Sequence, residues 1–317
     1  MKEVYISKNN AGQRLDKYLI KYFPGTSPSF LYKMLRKKNI VLNGAKVTGK
    51  EVISEGDILK VFFSDETFDK FRGEHNTSDP NKSKHIKSTG LISNPAFKSI
   101  KVLFENDDII ILDKPAGVLS QTDDSGLPSI NEWLNEYLIS KDFDFDNYKP
   151  GVCNRLDRNT SGIITCGKTY RGGRYLSSLI KEHKVKKYYL ALCAGLLYEN
   201  LILKGYLEKD SKTNKVSIKE KSDDKTSYIE THIKPIKILD DNTLLEVEIV
   251  TGKSHQIRAH LASIGHPLIG DSKYGGPVSK NFRYQALHCY RFILPETEDN
   301  YLGLSGLKIE SYPVWAE

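Results

Sequence analysis

Asp157 is the residue of this 317-residue sequence whose surroundings most suggest chemistry. It stands between Arg155 and Arg158 in RLDRNTSGI, residues 155–163, a polar and turn-prone stretch that then becomes apolar. An adjacent cation lowers a carboxylate pKa, which suits a nucleophile or base better than an acid. An Arg-Leu-Asp on a loop is nonetheless most often a solvated pair of charges, so the stretch alone decides nothing. His255, His260 and His266 are metal-ligand types. On a helix, however, the first two would point about 140° apart by the 3.6-residue period and could not clamp one ion, so no shared metal site is expected. Cys153, Cys166, Cys193 and Cys289 form no CxxC pair and sit among apolar or small neighbours, as buried thiols do. Neither a disulfide framework nor a zinc site is expected.

The elements that must hold such groups read mainly as strands. VKKYYLALCAG (185–195) and TLLEVEIV (243–250) are strand-like, the second alternating Leu245, Val247 and Ile249 with Glu246 and Glu248. KVLFENDDIIILDKPAGV reads as a hairpin turning at Asn106 to Asp108. SINEWLNEYLIS and RYLSSLIKEH read as amphipathic helices, and SHQIRAHLASIG as a helix stopped by Gly265 and Pro267. Tyr189 alone would be an ordinary strand residue and Arg258 a helix-face charge. With no βαβ rhythm, Gly-rich phosphate loop or internal repeat, the expected fold class is α+β: a mainly antiparallel sheet with helices against it.

The formal net charge of +7 is concentrated at one end, because residues 1–63 hold 12 Lys and Arg against 5 Asp and Glu. A cationic patch on a short folded segment points to a polyanion, although a merely soluble basic face is the plain alternative. SPSFLYKMLRKK (27–38) starts with Ser27 as N-cap and Pro28 at the first helical position, and gathers Phe30, Leu31, Met34 and Leu35 on one face. Lys33, Arg36, Lys37 and Lys38 fall on the other. RLDKYLIKYF precedes it as a helix; IVLNGAKV follows as a hairpin at Asn43-Gly44, and ILKVFF as a strand. Residues 64–85 contain no Ala, Val, Leu or Ile, so residues 64–95 read as a flexible linker between tethered domains, 1–63 and 96–317. No apolar run approaches the roughly 18 residues of a membrane span, and the start lacks a signal-peptide run, so a soluble, cytoplasmic protein is expected.

Several longer stretches together resemble the RluA-type RNA pseudouridine synthases. CNRLDRNTSGIITCGKT is similar to the motif carrying that family's catalytic aspartate, here Asp157. KKYYLALCAG is similar to its Lys-x-Tyr-x-Ala strand, which places the family tyrosine at Tyr189. TGKSHQIRAHLASIGHPLIGDSKYG resembles its third motif and places the active-site arginine at Arg258. ALHCYRF places a pocket leucine at Leu287, and LDKPAGVLS matches an early loop. The resemblance covers residues 100–295. Residues 12–63 separately resemble the small RNA-binding module named after ribosomal protein S-four.

The resemblance implies isomerisation of uridine to pseudouridine in RNA, with Asp157 as the catalytic carboxylate and no cofactor or metal. Asp157 would attack the sugar, attack the ring or remove a sugar proton. Arg258 would pair with it through a bidentate fork, and Tyr189 would stack on a flipped-out uracil. Tyr189, Arg258, Leu287 and Arg155 are the expected substrate-binding set, with Lys33, Arg36, Lys37 and Lys38 contacting RNA. Asn154 stands where the family commonly has histidine, and Lys253 where it has arginine. The expected layout is that of the branches called RluC and RluD, a monomer acting on large-subunit ribosomal RNA. Transfer RNA as substrate, or a catalytically idle RNA-binding assembly factor, are the alternatives.

Overall fold

The computed structural model describes residues 1–73, 94–210, 213 and 215–316. Two separate cores organise them. Near the N-terminus, strands β1 (Lys2–Tyr5), β2 (Ile40–Leu42) and β3 (Ile58–Val61) form an antiparallel sheet in the order β1-β3-β2. Helices α1 (Leu15–Tyr22) and α2 (Pro28–Arg36) cover it. Ser27 caps α2 by accepting from the Phe30 amide, and Leu31, Met34 and Leu35 are buried, as the apolar spacing requires. Asn43 and Gly44 turn the chain with positive φ. The segment after them makes a single bridge, Leu42 to Ala45, and the partner of β2 is β3 rather than the expected second arm of a hairpin.

The linker expectation needs correction. Asp65–Arg72 form a helix, α3, capped by Ser64 accepting from the Thr67 amide, with Asp65 and Glu66 in its first turn. Phe68 is buried edge-on to Phe23, and Phe71 packs on Phe30 and Phe63. Two phenylalanines one helical turn apart supply enough apolar surface without any aliphatic residue, so the N-terminal core continues to Arg72. Residues 74–93 of the expected linker lie outside the described residues.

The second body is built on an 11-stranded sheet. Its strands are β4 (Lys101–Glu105), β5 (Ile109–Lys114), β6 (Gly151–Val152), β7 (Ser161–Gly167), β8 (Lys186–Ala194), β9 (Leu201–Asp210), β10 (Lys215–Lys219), β11 (Thr226–Leu239), β12 (Asn242–Ile249), β13 (Leu287–Ile293) and β14 (Lys308–Glu310). The order is β10-β9-β11-β12-β8-β13-β7-β5-β4, with β14 on β13 and β6 on β7. Every pairing is antiparallel except β7 with β13. Helices α4 (Ile130–Ile139), α5 (Tyr170–Lys181) and α6 (Gln256–Ser263) complete it. Among the described residues no helix is long and apolar enough to cross a membrane.

The parallel junction explains the Thr-Ser-Gly that follows Asp157. Thr160 Oγ1 accepts from Gln285 Nε2 at 3.1 Å, and Ser161 Oγ lies 2.8 Å from His288 Nδ1. Gly162 has φ 113°, and a Cβ there would lie 2.3 Å from the Cys289 carbonyl oxygen. Only glycine permits that backbone contact.

The two bodies also touch. Ser7 Oγ donates to Asp146, Lys8 pairs with Asp107 at 2.6 Å, and the Tyr170 amide donates to the Asn9 carbonyl. The contact is polar and involves the chain before α1, so the bodies are docked as well as tethered.

Candidate active site

Asp157 lies on the loop from β6 to β7, held from several directions. Ser120 Oγ donates to the Leu156 carbonyl and accepts from the Leu156 amide. The Gly117 amide donates to the Arg158 carbonyl. Lys114, fully buried, donates to the carbonyls of Arg158, Val118 and Pro115 at 2.8 to 3.1 Å. Burial pushes its pKa down to about 7, with Asp157 and Asp113 pulling the other way. Lys114 belongs to the LDKPAGVLS stretch, and its position identifies it as the tie between that loop and the loop of Asp157.

The carboxylate faces α6. Arg258 Nη1 donates to Asp157 Oδ2 at 3.1 Å, but the bidentate fork goes elsewhere: Nε and Nη2 donate to the two oxygens of Asp271 at 2.7 and 2.8 Å. This corrects the expected fork onto Asp157. Arg258 is a bridge, fixed by the nearly inaccessible Asp271 and presenting its remaining edge to Asp157. Burial works against its charge, yet Asp271 and then Asp157 outweigh it and hold the guanidinium above its ordinary pKa.

His255 also meets Asp157. It sits before α6 rather than on it, at φ 58°, with Nε2 3.8 Å from Asp157 Oδ2 and Nδ1 2.9 Å from the Tyr274 hydroxyl. That hydroxyl also accepts from the Val216 amide, so Tyr274 links His255 to β10. Burial lowers the His255 pKa and Asp157 opposes it, so the ring is predominantly neutral near pH 7. The Tyr274 ring lies under the guanidinium of Arg258, 5.0 Å away.

Asp157 opens onto a cleft of about 1270 Å³ that also contains Tyr189, Leu287, Arg258 and Arg155. The structure thus brings all five expected site residues together. Tyr189 and Leu287 are buried in the floor, 6% and 5% exposed, and burial raises the Tyr189 phenol well above its ordinary pKa. Arg155 is exposed on the wall; among the described residues Asp157 pairs with Arg258 and His255, and not with Arg155. Nine Lys and Arg line the cleft against three Asp, although residues 64–317 carry no net charge. Asn154 is buried, its side-chain oxygen accepting from the Thr165 amide and hydroxyl. That bond secures the strand behind Asp157 and needs no titratable group. Lys253 is exposed, and its amide donates to Gln256 Oε1. Lys33, Arg36, Lys37 and Lys38 are exposed on the N-terminal body, far in sequence from this cleft.

Asp271, Tyr274, His255, Lys114 and Lys187 were not singled out by the sequence as parts of one site. Asp271 and Tyr274 lie inside the quoted GDSKYG, but in a 3₁₀ turn without periodicity, so only the folded chain shows that they back Arg258.

A family model for RNA pseudouridylate synthase matches residues 108–263. Ribosomal large subunit pseudouridine synthase C of Rickettsia bellii is 32% identical over 287 residues, 89% of this chain and 89% of that protein. Ribosomal large subunit pseudouridine synthase D of Nitrosomonas europaea is 28% identical, covering 86% of this chain and 72% of its own. In structure, human RNA pseudouridylate synthase domain containing 4 matches with a TM-score of 0.55 at 17% identity, over 68% of this chain and 89% of that one, which supports the fold. The chain belongs to the RNA pseudouridine synthase family, in its RluA-type branch, and is an enzyme that converts uridine to pseudouridine in RNA.

Proposed function

We propose that this enzyme modifies large-subunit ribosomal RNA with Asp157 as its nucleophile. The observation that carries the assignment is the Asp157 carboxylate held toward a cationic cleft by Arg258, with Asp271 taking the rest of the guanidinium. In the reaction the bond from N1 of uracil to the ribose breaks, the base turns, and C5 joins the same sugar carbon. C5 gives up a proton and N1 gains one. Asp157 forms a transient covalent bond that is given up when C5 joins the sugar carbon, and Arg258 orients its carboxylate. Tyr189 and Leu287 supply an apolar floor on which the detached uracil is held while water is excluded. His255 flanks the same carboxylate oxygen, its Nε2 3.8 Å away. The exposed cations of α2 and the turn after it grip the RNA outside the pocket. The ribosomal target rests on the names of the relatives from Rickettsia bellii and Nitrosomonas europaea.

The test is a pseudouridine map. Purified protein is incubated with unmodified large-subunit ribosomal RNA and with transfer RNA, pseudouridine is derivatised with carbodiimide, and reverse-transcription stops are located, with Asp157→Asn as the blank. Stops in ribosomal RNA that vanish in the blank are expected, with RNA affinity of Asp157→Asn within about 3-fold of wild type. Stops confined to transfer RNA would reassign the substrate, and stops that survive Asp157→Asn would remove it as nucleophile.

A further inference from the structure

One group in the cleft has no task in this scheme. Lys187 lies two residues before Tyr189 on β8, so strand alternation puts both side chains on the same face. It is 6% exposed and lines the cleft. Its Nζ lies against the Thr251-Gly252-Lys253 turn, where a Cβ on Gly252 would be 3.3 Å away.

Among the described residues four Lys and Arg are buried, and three of them have partners within the protein. Lys114 donates to three carbonyls, Lys168 to Glu105 and the Asn106 carbonyl, and Arg258 to Asp271 and Asp157. Lys187 alone, among the described residues, has no hydrogen-bond acceptor and no ion-pair partner. Burial lowers its pKa, and the only group opposing that is the Cys289 thiol. The stem is buried while the ammonium, with no acceptor in the protein, reaches the open cleft, where a ligand of opposite charge can meet it.

We propose that Lys187 is the anchor for a backbone phosphate of the bound RNA at the flipped nucleotide. The inference rests on the reading of this cleft as the pocket of an RNA uridine isomerase. Three observations select a phosphate over a base carbonyl. A neutral carbonyl compensates a buried charge poorly, whereas a lysine ammonium is a natural point-charge partner for phosphate. Two strand residues separate Lys187 from Tyr189 by about 6.6 Å, so a uracil held at Tyr189 leaves the ammonium beyond the sugar, at the backbone. Gly252, lacking a side chain, keeps the approach past the turn open. Because the contact forms only when a nucleotide enters the cleft, it draws binding energy toward the extruded state.

The test uses the full-length chain with Lys187→Met and Lys187→Arg, and an unmodified large-subunit ribosomal RNA transcript as probe. Binding is measured across a salt series, and thermal unfolding without RNA. With Lys187→Met the dissociation constant should rise about 5- to 10-fold, and the slope of log affinity against log salt should shrink by about 0.7 to 0.9, one phosphate contact. Lys187→Arg should restore the slope. The Tm of free Lys187→Met should not fall, since the ammonium makes no contact within the protein that the substitution would remove. An unchanged slope in Lys187→Met, with wild type still forming pseudouridine in the same RNA, would overturn the phosphate anchor alone. A falling Tm would also overturn it, by showing that the lysine is already satisfied. Wild type that neither bound nor modified this RNA would take down the substrate reading along with the anchor.

Discussion

Arg258 ties two carboxylates, Asp271 and Asp157, into one arrangement. Removing it leaves Asp271, 1% exposed at its side chain, as a buried charge without its partner. Arg258→Met should therefore lower unfolding free energy by about 3 to 5 kcal/mol in urea titrations, besides abolishing pseudouridine formation. His260 gives the protein a pH dependence of its own. Buried, with Nδ1 against Thr231 Oγ1 and Nε2 without a partner, it has its pKa lowered by burial to about 4. A histidine whose folded pKa is depressed binds fewer protons folded than unfolded between about pH 4 and the ordinary value of 6.5, so stability rises with pH across that window and is lost on acidification. Urea midpoints should fall from pH 7 to pH 5, and His260→Gln should flatten that dependence. The sequence drew Asp157, Tyr189, Arg258, Leu287 and Arg155 from contiguous stretches, and the structure gathers them in one cleft. It could not reveal Asp271, because the fork from Arg258 spans 13 residues across a helix end and a turn, a distance no periodicity encodes.

At the scale of elements, alternation and capping carried most of the reading. β12 buries Leu245, Val247 and Ile249 as their spacing requires, and α4 begins with a complete capping box at Ser129 and Glu132. The failures have a common cause. Asn43-Gly44 specified a turn but not which strand would pair beyond it, and α3 lacked aliphatic residues while its two phenylalanines found a ready-made aromatic core. Register and docking partner depend on tertiary contacts that a local pattern does not contain. The junction of β7 with β13 offers a direct test. Gly162→Ala places a methyl group inside the Cys289 backbone at a φ that alanine rarely adopts. It should destabilise the fold by at least about 3 kcal/mol in urea unfolding, and lower activity more than RNA affinity by displacing the loop of Asp157.

For the whole molecule, charge counted along the chain placed the entire cationic excess in residues 1–63. Folding redistributes it in effect, since the catalytic cleft concentrates nine Lys and Arg from segments that are neutral on average. RNA binding should accordingly be shared. Replacing Lys33, Arg36, Lys37 and Lys38 by Gln together should reduce the salt slope by up to about 3 while leaving a measurable remainder. An undiminished slope would place the grip wholly on the catalytic body.

The position of β13 has a temporal consequence. Asp157 belongs to the half of the sheet made of β4 to β7, whereas Tyr189, Lys187, Arg258 and His255 belong to the half made of β8 to β12 and α6. The strand hydrogen-bonded to both halves is Leu287–Ile293, which follows all of them in sequence. A nascent polypeptide therefore carries both halves of its candidate site, unjoined by this sheet, until β13 has been synthesised. Pairing partners more than 120 residues apart make this closing step slow relative to local hairpins. Competence for catalysis then arrives in a single late event, and a chain interrupted before Leu287 is left with two open sheet edges exposed to aggregation.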